Sequence, residues 1–436
     1  MSDEFKGGKL PSFYVTRRGV LAGGAALAAI GAGFRATPLR AEDAIEGPLA
    51  PWFGQGGPKA GAGLKWVHGL NLALTGAGAP IGQAMSQGAE IAADLIRASG
   101  GPDIALKLND HQNGQVSAAV TGVRRLISQE RIQSLGSSYG AATEALFPLV
   151  DTAKITTFWS GGAGPHGLGK QYVWVTMAIY AIDATPGGLG YLAKTFPDKK
   201  KLAIIGNPEN GIIAVQDTAP KAWPQASEGG QVVATEMVNI GTTDFSALIA
   251  RLKSANADVI YTTVYGNDQG YMIKQMREAG IAAPILIMDL VTPTVPEIAG
   301  DAIAQDVYLA VDGYQPENQN PLNQLFVTEY KKKFNVNPDY FAANFFEQTL
   351  VLWGMIRGAI ASGAKPDRGP ELGASVAADN KFPSVYGGGA GNVAMMSFDV
   401  KDHSITKPIG VFKVGKAGAL TKVGSIKKGS VAVDPA

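Results

Sequence analysis

Twice along this chain, short apolar runs of strand length alternate with segments of helical period, and this rhythm narrows the folds open to it. Val67 to Leu74, Ile104 to Leu108, Ile132 to Leu135 and Ile155 to Trp159 form the first series of runs. Between them, the segment 81–99 spaces Met85, Ala89, Ala92, Leu95 and Ile96 three and four residues apart until Gly100-Gly101 ends it. The segment 116–129 repeats the pattern through Val120, Val123, Leu126 and Ile127. A second series of runs follows at 202–205, 232–238, 259–264, 285–288 and 307–311, with helical segments at 245–255 and 267–279. The segment 218–226 is a weaker helix, because Pro220 and Pro224 fall inside it. Strands and helices alternating at this spacing predict parallel sheets covered on both faces, joined by right-handed crossovers. Two series predict an α/β chain of two doubly wound parallel-sheet lobes, as 436 residues also suggest. Helices at 322–334 and 341–362 come next, then strands at 393–399, 407–414 and 421–427. Gly387-Gly388-Gly389 reads as a flexible turn; no helix opening on Lys-Ser/Thr follows, so it is not a phosphate loop.

The N-terminus has a separate character. Arg17-Arg18 precede the uncharged, Gly/Ala-rich run Gly19 to Gly33, which describes an export signal over residues 1–41. The paired arginines resemble a twin-arginine signal, with Val20 where Phe is usual. The run is too short and too small-residue-rich for a membrane anchor. Residues 42–63, with three Pro and six Gly, are expected to be a flexible leader, disordered or loosely docked.

Composition excludes several functions. There is no cysteine, hence no disulfide framework, thiolate chemistry or lipid-attachment cysteine. The four histidines are scattered without metal-ligand spacing. Residues 42–436 carry 32 Lys/Arg against 35 Asp/Glu, a net charge of −3 that suggests neither nucleic acid nor anionic membrane as partner. Ser137 and Ser138 lack a Gly-x-Ser-x-Gly setting and an indicated base. Gly162, Gly164 and Gly167 match a dinucleotide fingerprint only loosely, with Pro165 interrupting and no helix following. An enzyme is therefore not expected.

The order of several stretches resembles a known family. Leu74-Thr75-Gly76 with Gly82 and Gln87-Gly88-Ala89-Glu90, Asn109-Asp110-His111-Gln112, and Gly136-Ser137-Ser138 are among them. So are the stretch 242–253, Ile298-Ala299-Gly300-Asp301-Ala302 and Phe398-Asp399. Together, over about 64–425, they resemble the class I periplasmic solute-binding proteins of ABC importers, the leucine/isoleucine/valine-binding type. The resemblance implies a Venus-flytrap of two lobes joined by a three-stranded hinge: lobe one 64–181 and 312–400, lobe two 182–311 and 401–436. It further implies a soluble, monomeric, unlipidated periplasmic protein that traps a small molecule and delivers it to an inner-membrane permease with its cytoplasmic ATPase. No cofactor is implied. A periplasmic sensor of the same fold, signalling to a membrane receptor, is the alternative.

For the site, the resemblance and the strand-end loops point to the same places. Loops 75–82 and 137–142 each lead into a helix, so their N–H groups suit a carboxylate, aided by Ser137 or Ser138. Tyr139, Trp159, Tyr180 and Tyr265 are candidate flat walls, although Trp159, Tyr139 and Tyr180 read equally as core at strand ends. Ser160, Gly161 and Ala163 lie in the loop after the fourth strand, where Ala163 replaces the family's threonine. The family's cleft acid falls at Tyr180 or Asp183, Asn210 stands where a tyrosine is usual, and Asp289 stands where a glutamate pairs with the ligand ammonium. This partial cage leaves two ligand classes open: a hydrophobic α-amino acid, or an aliphatic or aromatic carboxylate or amide without the amine.

Overall fold

In a computed structural model of the protein, the described residues are 45–54, 60–160, 165–207, 218–367, 369–378 and 380–435. The expected export signal lies outside them.

The first apolar series forms strands β1 (Lys65–Leu72), β2 (Asp103–Asp110), β3 (Ser134–Ser138), β4 (Thr156–Ser160) and β5 (Val173–Val175). All neighbours pair in parallel, in the order β2-β1-β3-β4-β5. β3 and β4 are wholly buried, as strands covered on both faces must be. The second series forms β6 (Lys201–Gly206), β7 (Gln231–Met237), β8 (Val259–Thr262), β9 (Ile285–Ile287) and β10 (Val307–Asp312). These pair as β7-β6-β8-β9-β10, also in parallel, so the second lobe repeats the first lobe's order. β11 (Lys381–Gly389) and β12 (Asn392–Ser397) make a hairpin. β13 (Ile409–Val414), β14 (Leu420–Ile426) and β15 (Val433–Pro435) extend the second sheet antiparallel from β10.

Helices cover these sheets for legible reasons. The helix Ala79–Ala98 has Pro80 in its first turn, where no N–H partner is needed, and is followed by Gly100 at φ 77°. Its packing partner is the helix Tyr340–Ala361, capped by the Asp339 carboxylate accepting from Ala342 N at 2.8 Å. Gly88 allows the close approach, because a Cβ there would overlap the Ala342 carbonyl.

Several segments differ from the sequence reading or add to it. The leader is docked where it is described: Leu49, Phe53 and Ala60 are buried, and Phe53 lies 4.9 Å from the Trp353 ring. Trp353 Nε1 and Arg357 donate to the carbonyls of Ala60 and Phe53. Ile45 and Trp52 pack against the same core, and each large side chain fully buried contributes about 1.5–3 kcal/mol. The helix Ala219–Ala226 forms despite its prolines, Pro220 sitting in the first turn and Pro224 only within the second. The three glycines are not a free turn but the irregular end of β11, with Gly387 and Gly388 both at φ 69°. β5 and the helix Thr185–Thr195, absent from the sequence reading, complete the set.

The chain passes between the sheets three times, after β5, after β10 and before β13, and one buried polar chain touches all three passages. Ala178 N donates to Asp312 Oδ1 (2.7 Å), and Asn344 Nδ2 donates to Asp312 Oδ2 (3.0 Å). Lys407 Nζ then donates to Asn344 Oδ1 (2.6 Å) and pairs with Glu347 at 2.9 Å. Both charged side chains of that pair are 1% exposed. Lys407→Met leaves the Glu347 charge buried without its partner, so we expect a loss of about 3–5 kcal/mol in urea unfolding, with part regained in Lys407→Met/Glu347→Gln. A loss below about 1 kcal/mol for Lys407→Met would show that the pair contributes little.

Candidate functional site

In a sheet ordered 2-1-3-4-5, the strand order reverses between the first and third strands, and the crevice at their carboxyl ends is where ligands bind. Here that crevice lies beyond β1 and β3 in one lobe, and beyond β6 and β8 in the other. Tyr139 immediately follows β3, and Tyr265 follows β8. The two rings meet edge to face, 6.1 Å between centroids, although they come from different sheets. Both are nearly buried. Tyr139 adopts φ 68°, a conformation that costs a non-glycine residue about 1–3 kcal/mol and that concentrates at functional sites.

Asp289, two residues beyond β9, lies among phenols from both lobes. Tyr180 donates its hydroxyl to Asp289 Oδ1 at 2.9 Å. Burial first, then the Asp289 charge among other causes, pushes the Tyr139, Tyr180 and Tyr340 hydroxyls well above the ordinary tyrosine range. Gln269, fully buried, donates from Nε2 to the carbonyls of Val264 (2.9 Å) and Asp289 (3.0 Å), tying the loops after β8 and β9 together. A buried carboxylate ringed by aromatic faces is a setting that suits a cation.

The serine loop is organised differently from expectation. Ser137 is fully buried, and its hydroxyl is engaged with Thr143 Oγ1 (2.7 Å) and Asn71 Nδ2 (3.0 Å). These contacts tie the helix Gly140–Glu144 to the sheet. Ser138 Oγ lies 3.1 Å from His111 Nε2. Because His111 Nδ1 accepts from Gly114 N (2.9 Å), the ring proton sits on Nε2 and is donated to Ser138. Burial lowers His111 to about 4, so the ring is neutral at pH 7.

The other candidates have partners of their own. Trp159 is fully buried, edge-on to Phe147 at 5.7 Å, in the apolar cluster that also holds Tyr139 and Tyr265. Ser160 bonds Thr176 Oγ1 at 2.7 Å. Of the two residues considered for the cleft acid, Tyr180 reaches Asp289, whereas Asp183 accepts from Ile179 N (2.9 Å) within the first passage between lobes. Burial raises Asp183 above the usual carboxylate range. Gly161, Ala163 and Asn210 lie outside the described residues. His111, Asn113, Gln269 and Tyr340 were missed as site residues. His111 belongs to the strand-end stretch that carried the resemblance, but its role depends on a loop geometry that spacing does not encode.

Residues 69–419 match the model of a family described as periplasmic binding protein. The chain belongs to that family. Periplasmic binding proteins are non-catalytic. Among curated relatives, this periplasmic binding protein is 26% identical over 252 residues to Leu/Ile/Val-binding protein homolog 1 of Brucella abortus (strain 2308). The match covers 56% of the chain and 66%, just under two thirds, of that relative. The fold is that of the branched-chain amino acid transporter substrate-binding protein LivJ of Streptococcus pneumoniae, in complex with isoleucine (TM-score 0.68, 20% identity, 82% and 99% of the two chains). It is likewise that of a solute-binding protein of an ABC transporter from R. palustris, in complex with benzoate (TM-score 0.71, 20% identity, 83% and 96%). Among the described residues, no helix is long and apolar enough to cross a membrane.

The His111 proton makes a measurable prediction. Between about pH 6.5 and 4 the unfolded chain binds a proton that folded His111 refuses, so its contribution is complete above 6.5 and is lost as pH falls toward 4. His68, lowered by burial to about 3, acts in the same direction, and Asp339, raised by burial to about 6, acts in the opposite one. His111→Gln should therefore lose less stability than the parent between pH 6.5 and 4.5, read as urea midpoints. Equal slopes would mean that His111 takes up its proton in the folded state.

Proposed function

We propose that this chain is the periplasmic solute-binding component of an ABC importer of the branched-chain-amino-acid type. It captures a small hydrophobic amino acid or an aliphatic or aromatic carboxylate between its lobes by hinge closure, and presents the closed form to an inner-membrane permease. The lobes are 64–181 with 312–400, and 182–311 with 401–436. The observation that carries this reading is the meeting of Tyr139 and Tyr265, from the reversal points of two facing sheets, beside the buried Asp289.

The chemistry supports two head groups with different demands. An α-amino acid would place its ammonium against Asp289 and the surrounding phenols, and its carboxylate toward the N–H groups opening the helix Gly140–Glu144. A carboxylate without the amine would use that second half of the site and leave Asp289 to Tyr180. Relatives of the same fold are seen with isoleucine and with benzoate, one from each class.

Calorimetric titration of L-isoleucine and benzoate into the parent and into Asp289→Asn separates these cases. If the ligand is an amino acid, the parent binds isoleucine, and the variant loses tenfold or more, since a charge-assisted contact is worth about 1.5–3 kcal/mol. If it is a carboxylate, benzoate binds both proteins alike. Undiminished isoleucine binding by the variant would remove Asp289 from the site, and binding of neither class of probe would overturn the proposed ligand range.

A further inference from the structure

Asn113 joins the two lobes by a hydrogen bond that involves no ligand atom. Its Nδ2 donates to the Tyr265 hydroxyl at 2.7 Å; Asn113 follows β2 of the first sheet, and Tyr265 follows β8 of the second. The amide cannot be turned over, because its Oδ1 accepts from Gly78 N at 2.9 Å and from the Tyr139 hydroxyl at 3.4 Å. Close by, a Cβ built on Gly266 would lie 3.1 Å from Ala77 Cβ, so the lobes meet tightly here.

The loop that carries Asn113 is held in a conformation that chains rarely adopt. Gln112, Asn113 and Gly114 have φ of 50°, 61° and 96°, three left-handed residues in succession. Such backbone persists only where its surroundings enforce it. Here Gln112 N donates to Asp110 Oδ1 (2.8 Å), Gly114 N to His111 Nδ1 (2.9 Å) and Gln115 N to the His111 carbonyl (2.7 Å). Every one of these braces, like the Gly78 bond, lies within the first lobe. Of the bonds that Asn113 itself makes, separation of the lobes would break only that to Tyr265 and leave the side chain aimed at the place Tyr265 vacates.

We infer that Asn113 is a latch residue, holding the cleft shut through the Tyr265 hydroxyl and thereby setting affinity for all ligands alike rather than choosing among them. This rests on the closure reading above. A ligand that binds the closed form has an apparent dissociation constant that scales inversely with the closed fraction, so loss of the latch weakens unrelated ligands by one common factor. A single net hydrogen bond makes that factor about threefold to tenfold. The change should fall on the dissociation rate.

The test uses Tyr265→Phe, which keeps the ring, and Asn113→Gly, which accepts the left-handed backbone. The chain has no cysteine, so spin labels at Ser117→Cys and Thr243→Cys, both exposed and one on each lobe, report the distance between lobes without background. Distances are measured in the full chain with no addition, with L-isoleucine and with benzoate; affinities are measured in parallel. Both variants should enlarge the long-distance population, weaken each probe that binds by the same threefold to tenfold, and show no further loss when combined. Unchanged distances in every sample would overturn the latch. So would additive losses, or a loss confined to one probe, which would make Tyr265 a ligand contact instead. If neither probe binds while the variants still lengthen the distance, the latch stands and the proposed ligand range fails.

Discussion

The rest of the structure hangs on the buried polar chain from Ala178 through Asp312 and Asn344 to Lys407 and Glu347. Two lobes that share three passages can move relative to each other only if the passages keep a fixed relation to at least one lobe. This chain supplies that relation by fastening a backbone amide, a strand-end carboxylate and a lysine, one from each passage, to the helix Tyr340–Ala361. An ion pair placed there contributes little over an apolar substitute of the same volume. In the register observed, each partner satisfies the next. Gly313 N donating to the Pro408 carbonyl at 2.8 Å adds a backbone tie between the second and third passages.

From that fixed base, the repeated strand order does the remaining work. Each sheet ends its first and third strands at a reversal point, and the passages bring the two sets of strand ends face to face. The side chains found there are of one kind: Tyr139, Tyr180, Tyr265 and Tyr340 present flat apolar faces with a polar tip, and Asp289 supplies the charge. Under the function proposed here, such a lining would take a hydrophobic body and fix one head group. Bonds internal to one lobe, such as His111 to Ser138 and Gln269 to two carbonyls, help to shape it; under the proposed closure they would prearrange the site.

Strand and helix alternation was legible in the sequence because apolar period survives folding unchanged: the runs ending near Leu108, Trp159 and Val311 all became strands of the expected sheets. β5 escaped because three residues, Val173 to Val175, give no period to count. Docking of the leader escaped because its few apolar residues lie among Gly and Pro, and their partners are distant: Phe53 packs on Trp353 and Leu49 N bonds Ser99 Oγ. For the candidate site, strand ends pointed to Tyr139 and Tyr265 and the family resemblance to Asp289, and these three lie together in the structure, whereas the partners of the hydroxyls were not legible. Ser137 and Trp159 lie at the right loops but turn into the sheet's other contacts, and which way a side chain turns at a strand end is a tertiary matter. Asn113 was invisible for the same reason, since its role arises from a residue 152 positions away.

The most direct test of the central claim, a solute site between the lobes, is a thermal-shift panel on the purified protein with the 20 amino acids, aliphatic and aromatic carboxylates and small amides. A ligand present at about 100 times its dissociation constant should stabilise the fold by about 2.7 kcal/mol, visible as a raised midpoint. The account predicts a rise confined to hydrophobic amino acids or to carboxylates of similar size. A flat response across the panel, with native mass spectrometry showing no copurified small molecule, would contradict it.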